Sequence, residues 1–341
     1  MRKKGFTLVE LLVVIAIIAL LMGILMPALA RVRVIAYRMV CGTNLSGIGK
    51  AIMLYAGDAR EEYPMPGITK MVTWSQLGTV SDYEDATNGG PAMVYAGAHA
   101  GGEATFGSLF FLLVKYEDTS VKQFNCKGDS GVKAFKLSDC PTTTLDDLTK
   151  AWDFGTEPAK YYSYSYHTPF ALAPAAAPTQ QGFPVNSNSP PASPLAADRN
   201  PSLDTNVNYL TGGTNGGTCE TGKLTPCQRW GTGSPPKNEY MDPDLVYNSF
   251  AHQREGQNVL FNDAHVRFEK QANVGIDNDN IWQKWPTTPP ATPTPVQRQA
   301  CGNFPIRTTG QTWSDYTTVC PVGIGDALLI NEHQGTGGAC P

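Results

Sequence analysis

The first thirty residues constrain this chain more than any other stretch. Arg2, Lys3 and Lys4 come first, and residues 11–30 then carry no charged side chain. A helix over residues 11–30 would be about 30 Å long, which is the thickness of the hydrocarbon core of a bilayer. Because the positive residues precede the apolar run, the positive-inside rule places the N-terminus in the cytoplasm and the rest of the chain across the membrane.

Glu10 stands at the edge of this apolar run. A charged side chain costs roughly 2.5–3.5 kcal/mol at the centre of a membrane helix and less near its end, so such a group usually has a partner. Cleavage between Gly5 and Phe6 would create an α-amino group that can pair with Glu10 of a neighbouring copy. Pairing of this kind would favour side-by-side assembly of identical chains.

The run Gly5-Phe6-Thr7-Leu8-Val9-Glu10, followed by an apolar helix, resembles the class III signal of type IV pilins and type II secretion pseudopilins. The resemblance implies that a prepilin peptidase cuts after Gly5 and methylates the new amino-terminal Phe6. It also implies that Glu10 helps to dock the subunit into a helical filament, and that Pro27 corresponds to the helix-kinking proline of many family members.

The same resemblance implies partners and a location. The expected partners are the prepilin peptidase, an inner-membrane assembly platform, other pilins or pseudopilins, and further copies of this chain. The expected location is the inner membrane, single-pass with a cytoplasmic N-terminus, before assembly, and a periplasmic or extracellular filament afterwards.

Two other interpretations of the N-terminus stay open. A plain single-pass anchor would make Glu10 accidental. A secretory signal peptide would be cut after Ala28-Leu29-Ala30, a small-x-small site, although the apolar run is long for such a peptide and Glu10 interrupts its usual pattern.

The overall composition argues for an extracytoplasmic, loop-rich head and against nucleic-acid binding. The formal net charge is −4, and it becomes more negative when the basic leader is removed, whereas nucleic-acid binding needs a basic face. Charged residues make up only 16%, and the chain has 34 Gly and 26 Pro. This composition favours turns and β-structure over a cytosolic helical enzyme.

Eight cysteines indicate an oxidising compartment and a disulfide framework. Their local spacing suggests disulfides that close loops. The predicted pairs are Cys126–Cys140, Cys219–Cys227 and Cys301–Cys320, with Cys41 and Cys340 left over. Cys320–Cys340 is an alternative to the third pair. The chain has no Cys-x-x-Cys and no histidine placed in the sequence to complete a zinc site, so zinc is not expected.

The N-terminal helix is predicted to continue as an amphipathic helix over residues 31–58 and to end near Gly57. Gly42, Gly47 and Gly49 weaken it by roughly 1 kcal/mol each relative to alanine, so this half needs support from a packed head. Apolar residues recur at three- and four-residue steps on one face, namely Val32, Ile35, Met39, Leu45, Ile48, Ile52 and Tyr55.

The head is predicted to cover residues 59–285. Phe106–Tyr116 is strongly apolar and predicts a buried helix, whereas Val121–Cys126 predicts a short strand. Residues 161–166 alternate tyrosine with serine, which predicts a half-buried strand whose tyrosine face is either a packed sheet edge or a sugar-binding platform. Residues 171–201 are rich in Ala, Pro, Ser and Asn and predict a surface loop.

Residues 250–268 predict a β-hairpin, because alternating apolar residues flank the turn-forming run Asn-Asp-Ala at 262–264. The stretch resembles the C-terminal processing-associated element of a large pseudopilin family, in which a histidine, nine residues and Asp-Gly follow one another. His252, Asn258, Phe261 and Asp263 match that element.

The hairpin departs from this pattern in two ways. Ten residues separate His252 from Asp263, and Ala264 replaces the glycine. Alanine tolerates positive φ poorly, so the turn is expected to shift onto Asn262 and Asp263. His252, Asp263 and His265 lack a nucleophile or a full ligand set, so the hairpin is predicted to be structural.

The last part of the chain contains a metal candidate, a spacer and a terminal lobe. Asp277 and Asp279 alternate with asparagines, which suits a hard cation such as calcium but lacks EF-hand spacing. No other cofactor is expected. Residues 286–296 predict a stiff Pro/Thr-rich spacer, and residues 297–341 a cysteine-containing lobe.

Together these features predict an α+β, pilin-like fold. A leader at residues 1–5 precedes a helix at residues 6–58, whose first part, residues 6–30, lies in the membrane or filament core. The head carries an antiparallel sheet and disulfide-stapled loops. The predicted function is that of a structural filament subunit and not an enzyme, and the rival is a membrane-anchored binding protein, carbohydrate-binding or adhesive, that uses the N-terminus only as an anchor.

Overall fold

The architecture is a long helix packed on an antiparallel sheet. The computed structural model describes residues 8–59, 61–64, 70–71, 103–104, 106–129, 131–139, 147–148, 154, 160–167, 183, 185–200, 248–253, 255–282 and 325–330. The helices are α1 (Leu8–Asp58) and α2 (Phe106–Tyr116). The strands are β1 (Lys70–Met71), β2 (Glu103–Ala104), β3 (Tyr164–His167), β4 (Pro194–Asp198), β5 (Gln257–Phe261), β6 (Val266–Glu269) and β7 (Leu329–Ile330).

Within these residues, five strands form one antiparallel sheet in the order β6-β5-β4-β3-β7. β1 and β2 form a separate parallel pair. β5 and β6 are the hairpin predicted from residues 250–268, with Gln257 opposite Glu269 and Leu260 opposite Val266. The α+β prediction and the antiparallel sheet are confirmed.

The second half of α1 lies across this sheet. Cys41, Leu45, Ile48 and Ile52 recur on one face and are fully buried. A Cβ atom on Gly49 would lie 2.7 Å from Leu260 Cδ1. The glycine that weakens the helix therefore allows the helix to approach β5 closely.

The buried face of α1 begins later than the apolar periodicity predicts. Val32, Ile35 and Met39 are exposed, whereas burial starts at Cys41. The reason is tertiary: the sheet and the 3-10 helices of the head reach α1 only along its C-terminal half, and periodicity cannot show where a partner surface ends.

α2 and the tyrosine strand build the main core. α2 is buried from Ser108 to Val114, as predicted. Phe110 packs edge-on against Tyr162 and Tyr166, at centroid distances of 5.5 and 5.6 Å. Burial raises the pKa of Tyr166 well above its usual value. All four residues of β3 are buried, so the predicted half-buried strand is wrong: the tyrosines lie in the core, neither at a packed edge nor on a platform.

Two short segments differ from the sequence-based expectation. Val121–Phe124 forms a 3-10 helix, not a strand. Residues 171–201 were expected to form a surface loop, but β4 at Pro194–Asp198 is a fully buried inner strand of the sheet. Small residues such as Ala196 and Ala197 suit a strand covered on both faces, a role that loop-like composition conceals.

The other face of the sheet is covered by residues that follow the hairpin. Val259 and Leu329 share a second core with Ile281 and Trp282. β7 belongs to the segment expected to attach to the head as an appended terminal lobe, and it pairs with β3 at Tyr166 opposite Ile330. The described part of that segment, residues 325–330, is therefore integral to the head. The spacer at residues 286–296 lies outside the described residues.

Candidate functional site

The first functional region is the free part of α1. Most of its large apolar side chains from Leu8 to Val40 are exposed, and in the described residues it is the helix long and apolar enough to cross a membrane. Glu10 lies in its first turn, on the exposed surface. Gly5 and Phe6 lie outside the described residues.

Pro27 lies inside α1, and the helix runs through it from Leu8 to Asp58. Proline has no N–H, so the carbonyl of Gly23, four residues earlier, lacks the usual helical donor. Pro27, the predicted helix-kinking proline, therefore lies within a helix that continues on both sides of it.

The second functional region is a buried polar group that we call the helix–head cluster: Cys41, Cys126, Asp198, His252 and Asn258. Cys41 comes from α1, Cys126 follows the 3-10 helix at Val121–Phe124, and Asp198 ends β4. His252 lies in the 3-10 helix Phe250–His252, and Asn258 lies in β5. None of the five is more than 3% exposed.

Cys41 and Cys126 form a disulfide with a Cα–Cα distance of 5.1 Å. The predicted pair Cys126–Cys140 is therefore wrong, and Cys41 is not left over. Short sequence spacing suggested a local staple, but the fold brings α1 against the residues after Phe124. The other predicted pairs, Cys219–Cys227 and Cys301–Cys320, lie outside the described residues and stay predictions.

Asp198 is the acceptor at the centre of the cluster. Its Oδ2 accepts the backbone N–H of Asn258 at 2.6 Å and the Asn258 side-chain amide at 3.1 Å. His252 Nε2 lies 3.1 Å from the same oxygen and 3.6 Å from Cys126 Sγ. Asp198 Oδ1 and His252 Nδ1 are buried and have no hydrogen-bond partner.

A glycine makes room for His252. The backbone turn after Cys126 places Gly128 so that a Cβ atom there would lie 2.0 Å from the carbonyl oxygen of Ala251 and 3.0 Å from His252 Nδ1. Next to this turn, Arg199 Nε lies 3.6 Å from Asp129 Oδ2, and both side chains are buried. The segment after Cys126 is thus fixed to both the 3-10 helix and the end of β4.

The hairpin turn is separate from this cluster. His265 is ion-paired with Asp263 and stacks on Phe261 at 4.4 Å between ring centroids, with Asp263 and His265 both partly exposed. Burial tends to raise the pKa of Asp263, but hydrogen bonds from His265 hold that pKa below its usual value. Of the residues that match the family element, His252 and Asn258 meet in the interior at 3.2 Å.

The turn also corrects one expectation. The N–H of Ala264 donates to the carbonyl of Phe261 at 2.9 Å, and Ala264 itself has a φ of 63°. The positive φ was expected to move onto Asn262 and Asp263. It stays at Ala264, because the hydrogen bond from its N–H to Phe261 puts Asn262 and Asp263 at the centre of the turn and leaves the left-handed conformation to the residue after them.

The calcium candidates are divided between surface and interior. Asp277 is exposed, whereas Asp279 is buried and its Oδ2 accepts the N–H of Ala327 at 2.6 Å. Asp277 and Asn278 both have positive φ. Asp279 thus holds the residues before β7 against the loop, and calcium binding by Asp277 and Asp279 stays a prediction.

Comparison with known proteins bears on the N-terminus alone. Residues 1–26 match the family model described as the prokaryotic N-terminal methylation motif. The chain carries the type IV pilin or pseudopilin signal. No curated protein and no solved structure matches it. The pilin-type signal therefore identifies the N-terminus, and the head must be interpreted from its own geometry.

Sequence reasoning found some members of the helix–head cluster and missed others. His252 and Asn258 were found through the hairpin resemblance. Cys41 had a detectable signal, because it lies four residues before Leu45 in the buried helical register. Asp198 had no such signal in the sequence, since only the pairing of β4 with β5 brings it next to Asn258. The sequence places no histidine to complete a zinc site, whereas the fold brings His252 Nε2 to 3.6 Å from Cys126 Sγ.

Proposed function

We propose that this chain is a structural subunit that a prepilin peptidase processes and that assembles through α1 into a pilus-like or pseudopilus filament. The observation that carries the proposal is the methylation motif at residues 1–26 joined to a helix with an uncovered apolar surface. Further copies of this chain, and other pilins or pseudopilins, are the partners. The membrane holds the subunit before assembly.

The uncovered surface continues beyond the membrane. If residues 11–30 span the hydrocarbon core, residues 32–40 lie about 15 Å further along the helix axis at their far end. Val32, Ile35 and Met39 are there 59%, 48% and 68% exposed. Lipid tails do not reach this part, and an exposed apolar patch of this kind indicates an interaction site. The α1 helix of a second copy is an occupant of matching length and chemistry.

A groove beside α1 offers a place for that second helix. It lies between α1 and the β5–β6 hairpin and is lined by Ile35, Met39, Gly42, Val266 and Phe268, among others. Arg38 lies at the same level, paired with Glu255 and 4.6 Å from the centre of the Phe268 ring. The groove is thus lined by apolar side chains together with polar ones, among them Arg38, Thr43 and His265.

The anchored-binding-protein rival has lost one of its supports. It rested on a tyrosine platform, but Tyr161, Tyr162, Tyr164 and Tyr166 are 7% exposed or less. Its other support, the long loops, lies largely outside the described residues.

The first test is the N-terminus of the mature protein, measured by terminal-peptide mass spectrometry. Processing predicts a chain that begins at N-methylated Phe6. A chain that begins at Arg31 would indicate a discarded signal peptide, and an intact Met1 would indicate a plain anchor. Either result contradicts the proposal.

The second test separates assembly from insertion. Ile35→Asp and Met39→Asp should abolish filaments seen by electron microscopy while the chain still fractionates with the membrane. Leu54→Asp is the matched control, because Leu54 is 64% exposed on the same helix but at the level of the head. Normal filaments from the Ile35 and Met39 variants would remove α1 packing as the basis of assembly.

A further inference from the structure

The helix–head cluster contains four side chains of metal-binding type. One ligand atom from each of Cys41, Cys126, Asp198 and His252 lies within 4.8 Å of the other three, and all four residues are buried. Two thiolates, an imidazole and a carboxylate form a ligand set that zinc accepts. We propose that the reduced chain binds one Zn²⁺ at these four residues, and that the disulfide replaces the ion when the chain is oxidised.

Two distances between ligand atoms match those around a tetrahedral ion. With ordinary zinc bond lengths, a tetrahedral site separates its nitrogen and oxygen ligands by roughly 3.3 Å and its nitrogen and sulfur ligands by roughly 3.6 Å. His252 Nε2 lies 3.1 Å from Asp198 Oδ2 and 3.6 Å from Cys126 Sγ. The sulfur atoms are the ligands that must separate on reduction.

The polar atoms around the site also favour a bound metal ion. Asp198 is fully buried, and its Oδ1 has no hydrogen-bond partner. A buried carboxylate with an oxygen that lacks a partner is costly, and a cation bound to this carboxylate would offset that cost. Asn258 holds Asp198 in place through two hydrogen bonds, which is the arrangement that orients carboxylate ligands in metal sites.

The exchange balances in atoms, charge and electrons. The two thiols bind Zn²⁺ as thiolates and release two protons. A disulfide of the thiol–disulfide oxidoreductase class then accepts two electrons from the thiolates and two protons from solvent, and becomes a dithiol. The Cys41–Cys126 bond forms, and Zn²⁺ leaves. With His252 neutral, the zinc form and the disulfide form of the cluster have the same formal charge, so burial penalises neither one over the other.

The consequence is that α1 is fastened to the head in both redox states. Cys41 is on α1, while Cys126, Asp198 and His252 come from three different segments of the head. A chain that has crossed the membrane and whose thiols are still reduced would thus hold its helix in register through the metal until the disulfide forms.

The test uses Co²⁺ as a spectroscopic probe on the full chain in detergent micelles, reduced with a phosphine. The reduced chain should bind one Co²⁺ with thiolate charge-transfer and tetrahedral ligand-field bands, and Zn²⁺ should displace it. The oxidised chain should show neither band. His252→Gln and Asp198→Asn should weaken Co²⁺ binding about ten-fold or more.

Matched controls use the exposed turn. His265→Gln and Asp263→Asn remove the same side-chain types outside the cluster, and Cys140→Ser removes a cysteine outside it. All three should bind Co²⁺ as the parent does. The folding of His252→Gln is checked by circular dichroism on its oxidised form, in which the disulfide still holds α1; if it does not fold, Asp198→Asn decides.

Three results would overturn the proposal: no charge-transfer band in the reduced chain, equal affinity in the His252 and His265 variants, or a signal that survives loss of both Cys41 and Cys126. The last result would place the ion on other cysteines.

Discussion

Cys41 on α1 is bonded to Cys126 in the head, and the two residues are 85 positions apart in the sequence. This bond joins the part of the chain that carries the pilin-type signal to the part that carries the sheet. Beside it, His252 contacts Cys126 and Asp198. The attachment of helix to head is therefore covalent at one point and polar around it.

Removal of this disulfide should lower the free energy of unfolding substantially. Closure of a loop of this length is worth on the order of 4 kcal/mol in the chain-entropy model. Cys41→Ser/Cys126→Ser, measured by urea unfolding of the full chain in micelles, should show a loss of this size. Cys140→Ser is the control and should change little if Cys126 pairs with Cys41. A large loss from Cys140→Ser alone would contradict the pairing.

The carboxylate of Asp198 should matter far more than that of Asp263. Asp198→Ala leaves the two buried donors of Asn258 without their acceptor, which should cost about 3 kcal/mol. Asp263→Ala acts on a partly exposed ion pair and should cost less than about 1 kcal/mol. Thermal or urea unfolding of the two variants gives the comparison, and equal losses would argue against a central role for Asp198.

Replacement of Ala264 by glycine should stabilise the fold. Its φ of 63° is left-handed, a conformation that costs a non-glycine residue roughly 1–2 kcal/mol. Ala264→Gly should therefore raise the free energy of unfolding by about 1 kcal/mol, whereas the β-branched Ala264→Val should lower it. The pair is measured by thermal unfolding, and a destabilising glycine would mean that the turn does not depend on this φ.

Two glycines of α1 should respond to alanine in opposite ways. A Cβ atom on Gly57 would meet no other group within 4 Å, so Gly57→Ala should stabilise the helix by about 1 kcal/mol. At Gly49 the added carbon would lie 2.7 Å from Leu260 Cδ1, and overpacking of about 1–3 kcal/mol should cancel or exceed that gain. Urea unfolding measures both, and a stabilising Gly49→Ala would show that β5 yields easily.

Lys115 should give the stability a defined pH dependence. Burial lowers the pKa of Lys115 from 10.5 to about 8, so between these values the unfolded chain binds more protons than the folded chain. Stability from this group therefore rises with pH over that window and is lowest below pH 8. Lys115→Met should remove the rise, whereas Lys136→Met, on the exposed surface, should leave it. Unfolding curves between pH 7 and 10 measure this rise. If stability rises with pH in Lys115→Met as steeply as in the parent, Lys115 is not the group responsible.

Local patterns were enough to predict several elements. The uncharged run before Arg31, the apolar stretch Phe106–Tyr116 and the alternation around residues 262–264 each correspond to an observed helix or hairpin. These patterns depend on neighbours within a few residues, which is the range over which the period of a helix or strand is written in a sequence. The methylation motif is also local, so the sequence by itself determined the pilin-type signal.

Only the tertiary structure decided which distant residues meet. The Cys41–Cys126 bond, the position of β4 in the middle of the sheet and the contact between β7 and β3 all join segments far apart in the chain. Composition wrongly predicted a surface loop at β4, and cysteine spacing wrongly predicted a local partner for Cys126. Neither composition nor spacing reflects the order of strands in the sheet. The helix–head cluster depends on this order, because Asp198 and His252 become neighbours only when β4 pairs with β5. Pairing between strands that are distant in the chain, unlike the period within one strand or a local hairpin, leaves no mark in the local sequence.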